Sequence, residues 1–347
     1  MANNMNKVLN SGEAMQETQT PSLMDRSRRP INYLRISVTD RCNLRCRYCA
    51  PAEPKRIKRE NLLTLEEIHR LVRIAAGLGI NKIRLTGGEP LVRKGITELI
   101  ERLGRIEEIH DIALTTNGTL LSQFGRQLRE AGLKRLNISL DTLDPARFRT
   151  MTGFDRFDKV WQGILLSKEL GFHPIKINTV VMKGFNDDEV QKLAALTLKY
   201  PFHIRFIEYM PIGTQPDQAH QYSVSIAQIR NELEKTGKLL PVQHTRGDGP
   251  AVRFRYEGAP GEIGLIGSMT AHFCSQCNRL RLTSTGHLRP CLLSDDQVNV
   301  IDALRRGAGD DEIRQIFLDV VARKRPEHGL SFQCGQALQS QMVSIGG

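Results

Sequence analysis

A chain of 347 residues, of which 40% are hydrophobic, is long enough to bury one large core or a large core and a smaller one. No apolar run reaches the roughly 18 residues of a membrane span, and residues 1–30 lack the apolar stretch of a secretory signal, which argues against a membrane or secreted protein. The formal net charge of +11 favours an anionic partner, while the 5% aromatic content disfavours a platform for single-stranded nucleic acid.

Residues 1–28 are polar and are predicted to form a disordered leader. From residue 29 to residue 240, β-prone runs alternate with helical patterns. The runs are Tyr33–Val38, Lys82–Thr86, Ile112–Thr116, Leu136–Leu140, Lys176–Val181 and Ile204–Tyr209. Each run is rich in Ile, Leu and Val, as expected for buried parallel strands. The pattern predicts an α/β fold, a partial (βα)6 TIM-type barrel that falls short of the eight units of a full barrel.

The clearest helix signal lies between the first two strands. Thr64 is a candidate N-cap, Glu67 completes a capping box, and Gly77 is suited to end the helix. Further helices are predicted at Arg93–Leu103, Ser122–Glu130, Asp158–Leu170 and Asp187–Leu198. Residues 241–347 are predicted to form a C-terminal cluster-binding region, in which turn-rich segments frame short strands such as Val252–Tyr256.

Six of the seven cysteines fall into two tight clusters, and Cys334 stands apart. Clustered cysteines in a long chain favour metal or cluster ligation in a reducing cytoplasm over a disulfide framework. The first cluster, Cys42-x3-Cys46-x2-Cys49, follows the first strand. A structural zinc site usually takes four protein ligands, and no fourth Cys or His lies near in the sequence. An iron–sulfur cluster with one open iron therefore fits three thiolates better.

Polar and glycine residues recur where the predicted strands end, and α/β sheets and barrels carry their active sites there. After the second strand comes Gly87-Gly88-Glu89-Pro90. This motif is also typical of an ordinary turn into a helix, but beside a three-cysteine loop it favours a binding role. Two glycines would let a ligand approach the backbone, and Glu89 would accept from an ammonium or hydroxyl group.

The second cluster consists of Cys274, Cys277 and Cys291. Zinc is a stronger competitor here, since His272 or His287 would complete a site of three cysteines and one histidine. The spacing by itself therefore leaves zinc and an iron–sulfur cluster both open for this second site.

The segment Asn278-Arg279-Leu280-Arg281 lies between these cysteines. If it is a strand, Arg279 and Arg281 face the same side. Two guanidinium forks beside a metal form an anion clamp suited to phosphate, and the alternative is a solvated basic strand without a ligand. No G-x-x-x-x-G-K-S/T motif occurs, so a nucleotide would not bind in a P-loop.

Together, the first cysteine triad with Tyr48 and the Gly87-Gly88-Glu89-Pro90 motif resemble the radical S-adenosylmethionine superfamily. The second triad, the Asn278–Arg281 segment and the terminal Gly346-Gly347 narrow the resemblance to the GTP 3′,8-cyclase family of molybdenum cofactor biosynthesis. The resemblance extends over residues 30–347.

The resemblance implies two 4Fe-4S clusters at opposite ends of the partial barrel, with S-adenosyl-L-methionine as cosubstrate. The implied cluster ligands are Cys42, Cys46 and Cys49 for the first, and Cys274, Cys277 and Cys291 for the second. The implied cosubstrate contacts are Tyr48, Gly88, Glu89, Ser139 and Met210, with Thr86 and Gly87 in the same loop. The implied GTP contacts are Arg35, Arg84, Thr115, Lys176, Arg279, Leu280 and Arg281. A catalytic role is implied for the first triad, Arg279, Arg281 and the tail residues Gly346 and Gly347.

The implied reaction begins when the first cluster passes an electron to S-adenosylmethionine, which gives methionine and a 5′-deoxyadenosyl radical. That radical removes the 3′ hydrogen of the GTP ribose, the ribose radical attacks C8 of guanine, and reduction yields (8S)-3′,8-cyclo-7,8-dihydroguanosine 5′-triphosphate. The implied partners are a flavodoxin or ferredoxin as electron donor, a downstream cyclic pyranopterin monophosphate synthase, and a second copy in a homodimer. Neither nucleic acid nor a membrane is expected.

Two other functions compete with this interpretation. One is a radical S-adenosylmethionine enzyme that modifies peptides and uses the second cluster as an auxiliary cluster; the Arg279 and Arg281 pair argues against it, because a peptide does not need a triphosphate clamp. The other is a zinc-stabilised nucleic-acid-binding module, which the net charge of +11 would suit.

Overall fold

The computed structural model describes residues 23–49, 57–212, 219–243, 249–330, 338 and 340–346. Cys334, Gly347 and residues 1–22 of the predicted leader lie outside the described residues. The rest of that leader is described: Leu23 is buried and Met24 forms a bridge with Pro30. The division of the chain at residues 28 and 240 stays a prediction.

The described strands form one twelve-stranded sheet. They are β1 (Tyr33–Ser37), β2 (Lys82–Thr86), β3 (Asp111–Thr116), β4 (Arg135–Ser139), β5 (Ile175–Val181), β6 (Phe202–Glu208), β7 (Leu239–Pro241), β8 (Val252–Tyr256), β9 (Glu262–Ile266), β10 (Arg279–Leu282), β11 (His287–Arg289) and β12 (Val298–Asn299). Their order is β12-β11-β10-β1-β2-β3-β4-β5-β6-β9-β8-β7. The six strands predicted for the barrel are confirmed, each to within two residues at either end.

The C-terminal part of the chain extends this sheet at both of its edges. Strands β1 to β6 pair in sequence order and in parallel. Strand β10 then adds in parallel beside β1, and β9 adds in parallel beside β6. The predicted six-unit α/β barrel is thus confirmed as the centre of a larger, mainly parallel sheet, whose outermost strands pair in an antiparallel manner.

Helices connect the successive strands from β1 to β6, and further helices lie in the C-terminal part of the chain. They are α1 (Leu65–Ala76), α2 (Ile96–Gly104), α3 (Leu121–Glu130), α4 (Pro145–Thr152), α5 (Phe157–Glu169), α6 (Val190–Lys199), α7 (Ala219–Tyr222), α8 (Ile226–Glu234), α9 (Ile301–Arg305), α10 (Asp310–Ala322) and α11 (Met342–Ile345). The sequence pattern missed α4, although Asp144 caps it and Pro145 opens it. Within the described ranges, no helix combines the length and apolar character needed to cross a membrane.

Alternation along the strands separates an apolar face from a polar one. On β1, Leu34 and Ile36 belong to the main hydrophobic core, whereas Tyr33 and Arg35 do not. Successive side chains of a strand point to opposite faces of the sheet. The apolar residues therefore pack under the helices, and the polar residues face the interior of the partial barrel. This second face carries the candidate site.

The capping box of α1 is confirmed and offers a local test of the fold. Thr64 accepts a hydrogen bond from the backbone N–H of Glu67, and the Glu67 carboxylate accepts from the backbone N–H of Thr64. We expect Thr64→Ala to lower the free energy of unfolding of the metal-free protein by about 1 kcal/mol, because an N-cap acceptor is lost. Urea denaturation would measure it, with Thr64→Ser as the control that keeps the hydroxyl. Equal destabilisation by both variants would contradict the capping role.

Candidate active site

The first cysteine triad lies on the loop that follows β1. Cys42, Cys46 and Cys49 are half-buried and free of disulfides. The loop is anchored on the end of α4, because the backbone N–H of Arg45 donates to the carbonyl of Thr152 at 2.8 Å. The triad therefore sits at the carboxyl end of the parallel strands, where the sequence placed it.

Nitrogen donors surround the first of these sulfur atoms. Cys42 Sγ lies 3.4 Å from the backbone nitrogen of Leu44 and 3.7 Å from Nδ2 of Asn117. The Asn117 amide also donates to Asn43 Oδ1 at 2.7 Å, which fixes its orientation. N–H groups directed at a sulfur atom stabilise the thiolate form that a metal requires.

The pKa of each of the three thiols is raised. Burial is the largest cause for each, and it raises the pKa of Cys49 to about 12. The neighbouring thiols and the carboxylate of Asp141 raise the pKa of Cys46 and Cys49 further. Three thiolates in such a place need a cationic partner, since metal binding is what compensates their deprotonation. The donor set therefore fits an iron–sulfur cluster with three cysteine ligands.

The glycines after β2 are explained by the triad loop itself. A Cβ atom on Gly88 would lie 2.3 Å from the carbonyl oxygen of Arg41, and one on Gly87 would lie 2.6 Å from that of Thr39. The backbone N–H of Gly88 donates to the Thr39 carbonyl at 2.8 Å. The close approach that the motif predicted is thus made by the protein backbone, and direct contact of Gly88 with a cosubstrate stays a prediction.

Glu89 is fully buried and joins two strand-end loops. Its carboxylate accepts from the Thr116 hydroxyl at 2.7 Å, from the Asn117 backbone N–H at 2.7 Å and from the Leu91 backbone N–H at 3.0 Å. Burial raises its pKa to about 7, but all three partners donate, and we therefore assign the ionised form. The ammonium or hydroxyl partner predicted for Glu89 is supplied, among the described residues, by Thr116.

Two more buried carboxylates accept hydrogen bonds from neighbouring loops at the ends of other strands. Asp141, after β4, accepts from the hydroxyl of Tyr48 at 2.8 Å and from the backbone N–H of Val180 at 2.9 Å. Glu208, at the end of β6, accepts from the backbone N–H groups of Ile226 and Met269. The loops that form the mouth of the barrel are therefore linked by charge-assisted hydrogen bonds.

The remaining predicted cosubstrate contacts lie at the ends of β4 and β6. Ser139 is the last residue of β4 and is half-buried, in register with Asn178 of β5. Met210 follows β6 and lines a cavity that also reaches the second cysteine triad. A contact of Ser139 or Met210 with the cosubstrate stays a prediction.

A row of cations crosses three adjacent strands inside the barrel. Arg35 on β1 is in register with Arg281 on β10 and with Arg84 on β2. Burial, and next the charge of Arg281, hold the pKa of the Arg35 guanidinium well below its usual range. Burial and Arg279 lower the pKa of Arg281 to about 10. Like charges held together away from water create a strong site for an anion.

A second row, one layer further along the strands, is formed by Thr115, Asn137 and Lys176 on β3, β4 and β5. Thr115 and Lys176 were predicted from the sequence. Leu280 was predicted as well, but its side chain is buried in the hydrophobic core, on the face opposite Arg279 and Arg281. A contact of Leu280 with a substrate is therefore restricted to its backbone.

Tyr33, Asn137 and Asn178 are polar residues of the interior that were not predicted from the sequence. Among the described residues, the buried atoms without a hydrogen-bond partner include Tyr33 Oη, Asn137 Oδ1 and Asn178 Oδ1, together with Arg84 Nε and Thr115 Oγ1 of two predicted residues. Buried polar groups are normally satisfied, so such a group of atoms on neighbouring strands indicates a ligand. The alternation of polar and apolar residues along the strands could have identified these side chains in the sequence. The same alternation places Arg205 of β6 on the polar face.

The second triad lies at the other side of this interior. Cys274, Cys277 and Cys291 line a cavity of about 510 Å³, including space open to solvent, together with Arg279 and Arg281. Burial favours the neutral thiol of Cys277, but Arg279 and Lys324 outweigh it and lower its pKa to about 7. Three cysteines beside the cation row, of which Cys277 has a lowered pKa, fit a second cluster.

The two histidines considered as a fourth zinc ligand have other partners. His272 Nδ1 lies 3.0 Å from the carbonyl oxygen of Ser268, and His287 Nδ1 lies 3.1 Å from Thr285 Oγ1. Within the described part of the chain, no three His, Cys, Asp or Glu side chains converge on a single metal ion. Cluster ligands need not converge in that way, since each thiolate binds a different iron.

The C-terminal tail reaches the cation row. Arg281 Nη1 donates to the carbonyl oxygen of Gly346 at 2.7 Å. Gly346 has a φ of +71°, and a Cβ atom there would lie 2.7 Å from Thr86 Cγ2. Both the left-handed backbone and the close approach require glycine. The structure therefore brings Gly346 to the carboxyl ends of β1 and β2, beside Arg281.

Comparison with protein families matches two regions of the chain. Residues 36–197 match the Radical SAM superfamily, and residues 202–330 match the family described as Molybdenum Cofactor Synthesis C. A GTP 3′,8-cyclase from Pelotomaculum thermopropionicum is 47% identical over 327 residues, which is 94% of this chain and 100% of that protein. A GTP 3′,8-cyclase from Thermodesulfovibrio yellowstonii is 49% identical, over 87% of this chain and 94% of that protein.

Solved structures share the fold at low sequence identity. Streptococcus suis SuiB is 16% identical with a TM-score of 0.58, over 87% of this chain and 68% of that chain. The protein anSMEcpe with bound AdoMet is 17% identical with a TM-score of 0.54, over 85% of this chain and 81% of that chain. At such identities the likeness concerns the fold, which is the partial barrel that radical SAM proteins have in common.

A half-buried histidine on β6, His203, predicts that the stability of the protein depends on pH. Burial lowers the pKa of His203 to about 4, although Glu262 lies 3.5 Å away and acts in the opposite direction. The unfolded chain, with a pKa near 6.5, binds a proton more readily, so the contribution of neutral His203 is complete above that pH and is lost as the pH falls toward 4.

We therefore expect the free energy of unfolding to fall, between pH 7 and pH 5, by about 1 kcal/mol more in the unmodified protein than in His203→Gln. Urea denaturation of the metal-free protein at both pH values would measure this. His110→Gln, which replaces an exposed histidine, is the matched control. Parallel pH profiles for the unmodified protein and His203→Gln would rule the expectation out.

Proposed function

The chain belongs to the GTP 3′,8-cyclase family of the radical S-adenosylmethionine superfamily, and on this premise we propose that it converts GTP to (8S)-3′,8-cyclo-7,8-dihydroguanosine 5′-triphosphate. This is the first step of molybdenum cofactor biosynthesis. The structural observation that carries the proposal is the row of Arg35, Arg84 and Arg281 inside the barrel. A triphosphate carries the negative charge and the acceptor oxygens that guanidinium groups bind.

The two triads would hold the cofactors at either side of that row. We propose Cys42, Cys46 and Cys49 as ligands of a 4Fe-4S cluster that also binds S-adenosylmethionine, with Tyr48, Gly88, Glu89, Ser139 and Met210 around the cosubstrate. We propose Cys274, Cys277 and Cys291 as ligands of a second 4Fe-4S cluster. When bound, these groups supply the radical chemistry that removes the ribose 3′ hydrogen and the electrons that complete the reaction.

The chain's own residues place the substrate and exclude water. Arg281 already donates one hydrogen bond to the Gly346 carbonyl. A guanidinium carries five N–H donors, so donors remain for a phosphate oxygen. The tail and the triphosphate would therefore meet on one side chain, which orders the tail when GTP is present. Orientation of this kind is the part of radical catalysis that a protein contributes.

The competing functions fit the interior less well. A peptide-modifying radical enzyme has no need of several buried or half-buried guanidinium groups in one row. A nucleic-acid-binding module displays its cations on an accessible surface, because phosphate contacts must reach a large polymer. Here Lys176 and Arg281 are both buried, and Arg281 lines the cavity beside the second triad.

Other partners follow from charge and from the family. A protein with a net charge of +11 suits an acidic one-electron donor, and we propose a flavodoxin or ferredoxin. The product would pass to a cyclic pyranopterin monophosphate synthase. We further propose a homodimer in the cytoplasm, where clustered thiols stay reduced.

Cysteine variants test the division of labour between the triads. Under anaerobic conditions with GTP, S-adenosylmethionine and dithionite, we expect Cys46→Ala to abolish formation of both 5′-deoxyadenosine and cyclised GTP. We expect Cys277→Ala to retain some 5′-deoxyadenosine and to form no cyclised GTP, since only the substrate side is damaged. Chromatography with mass detection measures both products. Equal loss of both products in the Cys277 variant would refute the two-site scheme.

Arg281 tests the phosphate clamp. Removal of a charge-assisted hydrogen bond costs about 1.5–3 kcal/mol, so Arg281→Ala should raise the GTP dissociation constant roughly ten- to a hundredfold. Anaerobic calorimetry would measure it. Arg105→Ala, on the exposed end of α2, removes one positive charge without touching the interior and should leave the constant unchanged. A dissociation constant unaltered by Arg281→Ala would show that the clamp lies elsewhere.

A further inference from the structure

Lys324, which follows α10, is buried beside the second triad. Its side chain is only 4% exposed. Nζ donates to the carbonyl oxygen of Pro290 at 2.6 Å and to that of Arg279 at 3.0 Å, and the residue lines a cavity together with Cys274, Cys277 and Cys291. Pro290 immediately precedes Cys291, and Arg279 follows Cys277 by two residues. One ammonium group thus contacts both the segment that carries Cys277 and the segment that carries Cys291.

This arrangement satisfies a group that is otherwise costly to bury. An ammonium carries three N–H donors and no acceptor, and a buried charge is strongly destabilising unless it is bonded. Lys324 meets two carbonyl acceptors, those of Arg279 and Pro290. Its position is therefore defined by the triad and its neighbours, rather than by solvent.

A second buried cation holds the third cysteine segment. Arg29 Nη1 donates to the carbonyl oxygen of Cys274 at 2.6 Å, while its Nε donates to Asp25 at 2.6 Å. The carboxylate of Asp25 offsets the charge of Arg29. Among the described residues, no carboxylate contacts Lys324. Lys324 therefore adds net positive charge beside the triad, whereas Arg29 mainly holds the Cys274 segment in place.

We propose that Lys324 is a positioning residue of the second triad, which holds the Cys277 and Cys291 segments together and makes the reduction potential of the bound cluster less negative. The inference rests on the proposed second cluster. Reduction adds one negative charge to a cluster, and a buried cation beside the ligand cysteines stabilises that added charge. Lys324 would thereby favour the reduced form of this cluster.

The first triad has the opposite surroundings. Two buried carboxylates lie close to it: Asp141 accepts from the hydroxyl of Tyr48, the residue before Cys49, and Glu89 accepts from the backbone N–H of Asn117, whose side-chain amide contacts Cys42. Negative neighbours disfavour an added electron by the same physical argument. The residues around the two clusters therefore shift their reduction potentials in opposite directions. Lys324 is the group whose charge a single substitution removes most cleanly.

The test uses the full chain with Cys42, Cys46 and Cys49 all replaced by alanine, so that only the second cluster is present. Iron and sulfide are assayed, and the cluster is then titrated anaerobically with dithionite, which donates one electron per cluster, while its paramagnetic resonance signal is followed. Lys324→Gln removes the charge but retains an N–H donor. We expect it to load iron as its parent does and to show a more negative reduction potential.

Three further variants separate charge from shape. Lys324→Met, without charge or donor, should in addition lose iron. Lys324→Arg keeps the charge and should match the parent in both measurements. Arg323→Met removes a charge from the neighbouring residue, whose side chain is 52% exposed and pairs with Asp296, and it should leave the potential unchanged.

A fully loaded Lys324→Gln protein with the potential of its parent would overturn the inference while leaving the second cluster in place. An equal negative shift in Arg323→Met or in Lys324→Arg would overturn it too, because the effect would then not belong to the charge of Lys324. A parent without iron and sulfide would instead refute the proposed second cluster, and the inference would fall with it.

Discussion

Repulsion between guanidinium groups on neighbouring strands is the constraint on which the interior of this protein depends. Arg35 lies between Arg281 and Arg84 in the parallel register, and burial lowers the pKa of both Arg35 and Arg281. Such a row is unfavourable by itself, because like charges at strand spacing repel strongly away from water. It becomes favourable when an anion binds beside the guanidinium groups and offsets their repulsion.

The strands can hold this charge because the opposite face of the sheet is apolar. Leu34 and Ile36 on β1, like Ile83 and Leu85 on β2, pack in the main core under the helices. Burial of that layer stabilises the sheet independently of the polar layer. At the carboxyl ends of the strands, the buried carboxylates of Glu89, Asp141 and Glu208 link the loops by accepting hydrogen bonds from backbone N–H groups. The site thus combines a cationic interior with anionic supports at its mouth.

Charge also distinguishes the two cysteine triads. Carboxylates lie near the first triad, whereas Arg279 and Lys324 act on Cys277 in the second. The residues that surround the cysteines, rather than the cysteines themselves, distinguish the two sites in charge.

The sequence by itself determined the six central strands, the capping box of Thr64 and Glu67, both cysteine triads and most of the cations, because alternation, capping and ligand spacing are local properties. Tertiary structure decided the rest. That β10 pairs with β1, and so brings Arg281 beside Arg35, depends on a contact between strands about 240 residues apart in the chain. The same packing turns Leu280 into the core, closes the triad loop over Gly88 and buries Lys324 against Pro290. No local pattern specifies these contacts, since each depends on which surfaces remain to be covered once the sheet has formed.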